Sequence, residues 1–145
     1  MNYKAISFFL GLSSLAVSSL SFLNSIYSVY FNYIYGLNAY LYTLFTSLII
    51  GFVLCIYGRR YEKNISISDQ IILILLIFVF LPSLISIPYY LSDYNINFLN
   101  AYFESVSGFT TTGFSIIQNK KIIDEPLLLW RSSSQWLGGL IFIIS

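Results

Sequence analysis

The sequence predicts an all-α integral membrane protein, and three observations predict it. The chain is 57% hydrophobic and only 9% charged, with a mean hydropathy of +0.78. Soluble domains carry about 25% charged residues, so these few cannot cover a globular surface. No charged residue occurs anywhere in 5–58, a stretch more than twice the roughly 20 apolar residues of one membrane-crossing helix. Two further apolar stretches, 70–91 and 126–145, flank a shorter amphipathic segment.

The uncharged stretch divides into two helices, 6–27 and 38–57. Asn24, Asn32, Gly36 and Asn38 interrupt its apolar pattern, and Tyr27, Tyr30, Tyr33, Tyr35, Tyr40 and Tyr42 crowd the same region. Tyrosine favours the headgroup level, where its ring is buried and its hydroxyl stays wet. The competing reading of the N-terminus is a secretory signal, with Lys4 as the charged start, 6–17 as the apolar core and a Ser-rich stretch to Ser21. The uncharged run continues far past a signal's length, which favours two helices. Cys55 is the sole cysteine, so no disulfide framework exists within the chain. Histidine is absent, and no two carboxylates pair on one apolar helix face. An enzyme is therefore not the expectation, and nothing points to nucleic acid.

Arg59, Arg60 and Lys63 cluster between the second and third spans, and Lys4 precedes the first. The positive-inside rule places the N-terminus and the 58–69 loop in the cytoplasm, with the 24–38 region outside. Lys120 and Lys121 then lie on the outer side against the rule, with Asp124 and Glu125 beside them. The third span, 70–91, carries Pro82 and Pro88, which kink it or mark its outer end near Asp93.

Residues 98–119, FLNAYFESVSGFTTTGFSIIQN, carry the most information. They read as an amphipathic helix over 98–110 running straight into the turn TTTGFS. About 13 residues at 1.5 Å each give roughly 20 Å, too short to cross a hydrocarbon core of about 30 Å. Irregular backbone at membrane depth is tolerated only inside protein or along a water-filled cavity. A membrane helix, a half-helix ending in Thr-Thr-Thr-Gly and a second membrane helix form the layout of a cation pore loop. Backbone carbonyls can replace a cation's water without a fixed charge that holds it too tightly. Thr110, Thr111 and Thr112 offer carbonyls and hydroxyls, and Gly113 permits backbone angles other residues resist. A helix end capped by Gly113, or a surface Ser/Thr turn, is the alternative.

Two motifs, AYFESVSGFTTTGF over 101–114 and LLWRSSSQWLGGL over 128–140, resemble the Trk/Ktr/HKT family of potassium transporters. The resemblance is strongest to the bacterial Trk-type membrane subunit. It implies a potassium channel-like fold of four fused helix–pore-loop–helix repeats, preceded by two extra transmembrane helices. This chain then corresponds to the two extra helices (1–58), a cytoplasmic loop (59–69) and the first repeat (70–145), with half-helix 98–110 and filter 110–114. The implied function is potassium uptake across the bacterial cytoplasmic membrane, with Thr111, Thr112 and Gly113 binding potassium, the transported ion, and no cofactor. The implied partners are the lipid bilayer, the remaining pore repeats of the full-length subunit, a second copy in a homodimer, and a cytoplasmic nucleotide-binding regulatory subunit. One repeat cannot close a four-repeat pore, so the expectation is a fragment of a longer protein. The alternative is a nonconducting truncated remnant that inserts without transport.

Glu104, on the half-helix, reads either as an anchor bonding the loop or Arg131, or as a charge tuning the outer mouth. Arg131 is that partner or snorkels to the interface. Trp130 and Trp136 read as interface belt and packing. Gly108, Gly138 and Gly139 suit close helix packing.

Overall fold

The computed structural model describes residues 2–60, 65–92, 94–117 and 124–144. Lys63, Asp93, Lys120 and Lys121, invoked above for topology, lie outside the described residues. Within them the chain forms five helices: α1 (Tyr3–Tyr30), α2 (Ile34–Gly58), α3 (Ile67–Tyr90), α4 (Phe98–Phe109) and α5 (Glu125–Ile144). With 28, 25 and 24 residues, α1, α2 and α3 are about 36–42 Å long. Three helices, one in each of these elements, are long and apolar enough to cross a membrane. The 20 residues of α5 reach about 30 Å, and the 12 of α4 only about 18 Å.

The break between the first two helices is much shorter than 24–38. α1 continues to Tyr30 and α2 begins at Ile34. Asn24 does not interrupt α1, because its amide donates to the Leu20 carbonyl of its own helix at 3.0 Å. The Ser25 hydroxyl likewise donates to the Ser21 carbonyl at 2.9 Å. A short polar side chain that donates to the preceding turn leaves the helix intact. The actual turn is made by Asn32, at φ 56°, a left-handed conformation in which asparagine is enriched. The Tyr33 amide donates to the Ser28 carbonyl at 3.0 Å, and the Ser28 hydroxyl to the Tyr33 carbonyl at 2.7 Å.

Serines join α1 to α2. Ser7, Ser18 and Ser21 donate to the carbonyls of Leu54, Leu44 and Tyr40 at 3.1, 3.4 and 2.6 Å. Small residues let helix backbones approach in lipid, and their hydroxyls bond across the seam. α3 opens on Ser66, whose hydroxyl accepts the Asp69 amide at 3.2 Å, and it packs against all four other helices. Pro82 lies inside it and Pro88 in its last turn.

The core joins Val17 of α1, Tyr40 of α2, Ile77, Leu81, Leu84, Ile85 and Tyr89 of α3, Ala101 and Phe109 of α4, and Leu127 and Trp130 of α5. Trp130 is fully enclosed and donates its indole N–H to the Ile85 carbonyl at 3.0 Å, so it belongs to packing and not to an interface belt. Trp136 is exposed. Large apolar side chains such as Phe45, Phe52, Leu75 and Val79 cover the outer faces of α2 and α3. Such faces suit a hydrocarbon solvent, because water would penalise contiguous exposed apolar surface.

Candidate functional site

α4 begins at Asn97, whose side chain accepts the Asn100 amide at 2.9 Å, an N-cap of the ordinary kind. Its inner face buries Ala101, Glu104, Ser105, Ser107, Gly108 and Phe109. Phe109 meets Phe78 of α3 edge-on, with ring centroids 5.4 Å apart. The helix ends at Thr110, whose amide donates to the Val106 carbonyl at 2.8 Å, followed by the Thr111 amide to Gly108 at 2.9 Å. The Gly113 amide then folds back to the Ser107 carbonyl at 3.2 Å, and the Ser107 hydroxyl donates to the Phe114 carbonyl at 2.6 Å. The Thr-rich loop is thus a tight structure stitched to the last turn of α4.

Its backbone is unusual. Thr110 has φ −77°, Thr111 has φ 58° and Gly113 has φ 80°. Glycine reaches the left-handed region freely. For a β-branched residue such as Thr111 it is an outlier, at a cost of order 1–3 kcal/mol that the surroundings must offset. The Thr110 and Thr112 hydroxyls bond each other at 2.7 Å. Thr111, Thr112, Gly113 and Phe114 are all exposed, so the loop presents its residues on an open face of the chain.

A buried carboxylate holds that loop. Glu104 is fully enclosed. Its Oε1 accepts the Ser115 hydroxyl at 2.8 Å and the amides of Ile116 and Ile117 at 2.6 and 3.3 Å. Its Oε2 forms an ion pair with Nη1 of Arg131 on α5. The other arm of the guanidinium, Nη2, donates to the carbonyls of Gly113 and Phe114 at 3.2 and 2.9 Å. Of the two readings of Glu104, the anchor is the one its contacts match. Arg131 does not snorkel: its side chain is 12% exposed and its fork spans carboxylate and loop. Each charge neutralises the other where an isolated one would be costly.

The seam between α4 and α5 depends on small residues. A β-carbon on Gly138 would overlap the Phe109 carbonyl, whereas one on Gly139 would sit 3.7 Å from the Thr111 methyl in ordinary contact. Of the two, Gly138 brings the α5 backbone against the end of α4, and Gly108 faces α5 as well, where a β-carbon would lie 2.8 Å from the Ser134 hydroxyl. Ser107 and Ser115, which tie the loop from two sides, carried no distinguishing signal in a chain so rich in serine. The positive φ of Thr111 had none either. Among the described residues no group of His, Cys, Asp or Glu could hold a metal ion.

This architecture defines an all-helical, multi-pass membrane protein with a short helix and a Thr-Gly loop fastened to it by an ion pair. By sequence the chain is a homologue of the Trk system potassium uptake proteins. It is 28% identical over 145 residues to the Trk system potassium uptake protein TrkH of Salmonella typhimurium, covering 99% of this chain and 30% of that protein. An uncharacterized cation transporter of Methanocaldococcus jannaschii is 34% identical over 119 residues, 82% of this chain and 24% of its own length. The Trk system potassium uptake protein TrkI of Halomonas elongata is 40% identical over 76 residues, 52% of this chain and 15% of its own. The chain thus spans under a third of the length of these relatives. No family model matches it.

Proposed function

We propose that this chain contributes to potassium uptake across a membrane by supplying one strand of a selectivity filter. The strand runs from Thr110 to Phe114, and the ion is bound by backbone carbonyls of Thr111, Thr112 and Gly113, the last shared with Arg131. α4 acts as a re-entrant half-helix, α3 and α5 as the membrane helices around it, and α1 and α2 as the two extra helices. Three further loops of the same kind, from the rest of a full-length subunit, complete the ring. The N-terminus faces the cytoplasm, where a nucleotide-binding regulatory subunit docks, and the subunit pairs with a second copy. The membrane is the cytoplasmic membrane of a bacterium.

The observation that carries this reading is the Glu104–Arg131 clamp on a loop whose φ changes sign along Thr110, Thr111, Thr112 and Gly113. A strand of uniform handedness points successive carbonyls to opposite sides. Alternating handedness turns them to one side, which a ladder of ion-coordinating oxygens requires. Such a backbone relaxes unless it is held, and the clamp holds it. The C-terminal end of α4 adds partial negative charge beside the loop, which favours a cation. The names of the relatives agree in ion and in process.

The test is uptake by the full-length protein containing this segment in a bacterium lacking its own potassium uptake. Growth at limiting potassium, with potassium influx resistant to excess sodium, is the expected result. Insertion in the membrane without any cation influx would leave the alternative, a nonconducting membrane chain.

A further inference from the structure

Lys4 is far in sequence from the adjacent Arg59 and Arg60, and the three come together at one end of the molecule. The first turn of α1 and the last of α2 are in backbone contact there: a β-carbon on Gly58 would lie 2.5 Å from both the Lys4 carbonyl and the Phe8 amide. Lys4, Arg59 and Arg60 line an open recess of about 460 Å³ together with Ile56 and Tyr57. All five side chains are exposed. The one ion pair among the described residues is Arg131 with Glu104, so none of these three cations has a carboxylate partner there. Asp69, the acid at the start of α3, does not line the recess. It is buried and accepts the Asn2 amide at 3.2 Å.

We propose that this recess binds the phosphate head of an anionic phospholipid. The recess lies at the ends of two helices long and apolar enough to span a membrane, the level of lipid phosphates. Arginine forks match phosphate oxygens in pairs, and lysine adds a point charge. The recess continues onto an apolar wall: Ile56 and Tyr57 are followed along the outer face of α2 by exposed Val53 and Phe52. A free anion would have no use for that wall, whereas an acyl chain lies along it. The inference rests on this end of the helix pair alone and is independent of the filter reading.

Each basic residue near an anionic bilayer surface contributes about a fivefold gain in binding, so three give roughly 100-fold at low salt. The experiment is native mass spectrometry of the full-length protein in detergent with phosphatidylglycerol or phosphatidylcholine added. The expected result is preferential retention of phosphatidylglycerol. That preference should be lost in the triple variant Lys4→Gln, Arg59→Gln, Arg60→Gln and kept in Lys4→Arg, Arg59→Lys, Arg60→Lys, which controls for folding. Millimolar inorganic phosphate should not displace the lipid. Equal retention of the two lipids, or an unchanged preference in the glutamine variant, would overturn the proposal and leave the cluster to an acidic protein partner. Full displacement by inorganic phosphate would overturn it in favour of a free-anion site.

Discussion

Arg131 bonds Glu104 with one arm of its guanidinium and the Gly113 and Phe114 carbonyls with the other. One residue of α5 therefore ties together the buried face of α4 and the loop that follows it. A fork is needed for this, because lysine has one nitrogen to place. The carboxylate in turn collects Ser115, Ile116 and Ile117, so the loop is fixed from both sides of one ion pair.

Breaking that pair should be costly and non-additive. Arg131→Gln or Glu104→Gln alone leaves a buried charge without its counterion and should destabilise the protein by about 3–5 kcal/mol. The double variant should recover part of the loss, because residues in one network couple. Thermal unfolding of the detergent-solubilised full-length protein measures it, and simple additivity of the two single losses would refute the coupling. Arg131→Lys keeps a counterion for Glu104 but loses the fork to the loop carbonyls, so it should fall between Arg131→Gln and the parent.

Gly113→Ser should reduce discrimination of potassium over sodium in uptake assays. A side chain at φ 80° costs about 1–2 kcal/mol, enough to shift the loop off its native backbone and to change an ion preference by about tenfold. Thr111→Ala should do less, since it keeps the carbonyl and removes a hydroxyl. Potassium uptake and sodium exclusion both unchanged in Gly113→Ser would return the loop to the status of a capped helix end.

The two adjacent glycines of α5 should differ. Gly138→Ala forces a methyl into the Phe109 carbonyl and should cost about 1–3 kcal/mol, as overpacking does. Gly139→Ala meets only the Thr111 methyl at ordinary distance and should change stability by no more than about 0.5 kcal/mol. Melting temperatures of the two variants decide the matter, and equal losses would mean that the seam relaxes freely.

Membrane orientation is open to a labelling experiment. In a Cys55→Ala background, Arg60→Cys should resist an impermeant maleimide in intact cells and react after permeabilisation. The basis is the basic cluster of Arg59 and Arg60 beside Lys4 and the positive-inside bias. Labelling from outside intact cells would invert the topology.

Composition and the uncharged stretch 5–58 were sufficient to determine an all-helical membrane protein. Burial of backbone polar groups in lipid allows few alternatives to the helix. The short helix and its TTTG ending were also legible, because its polar spacing differs from that of the long apolar helices. The extent of the turn between α1 and α2 was not, since Asn24 and Ser25 are polar in sequence but donate to carbonyls of their own helix. Trp130 and Trp136 read together as interface belt and packing, and only the fold assigns Trp130 to packing, with its indole on the Ile85 carbonyl in the core. The role of Arg131 was equally undecided. A charge one turn into an apolar helix can reach outward to water or inward to a partner, and sequence spacing does not say which. Packing of α4 between α3 and α5 settles it, because that contact places the Glu104 carboxylate and two loop carbonyls within reach of one guanidinium.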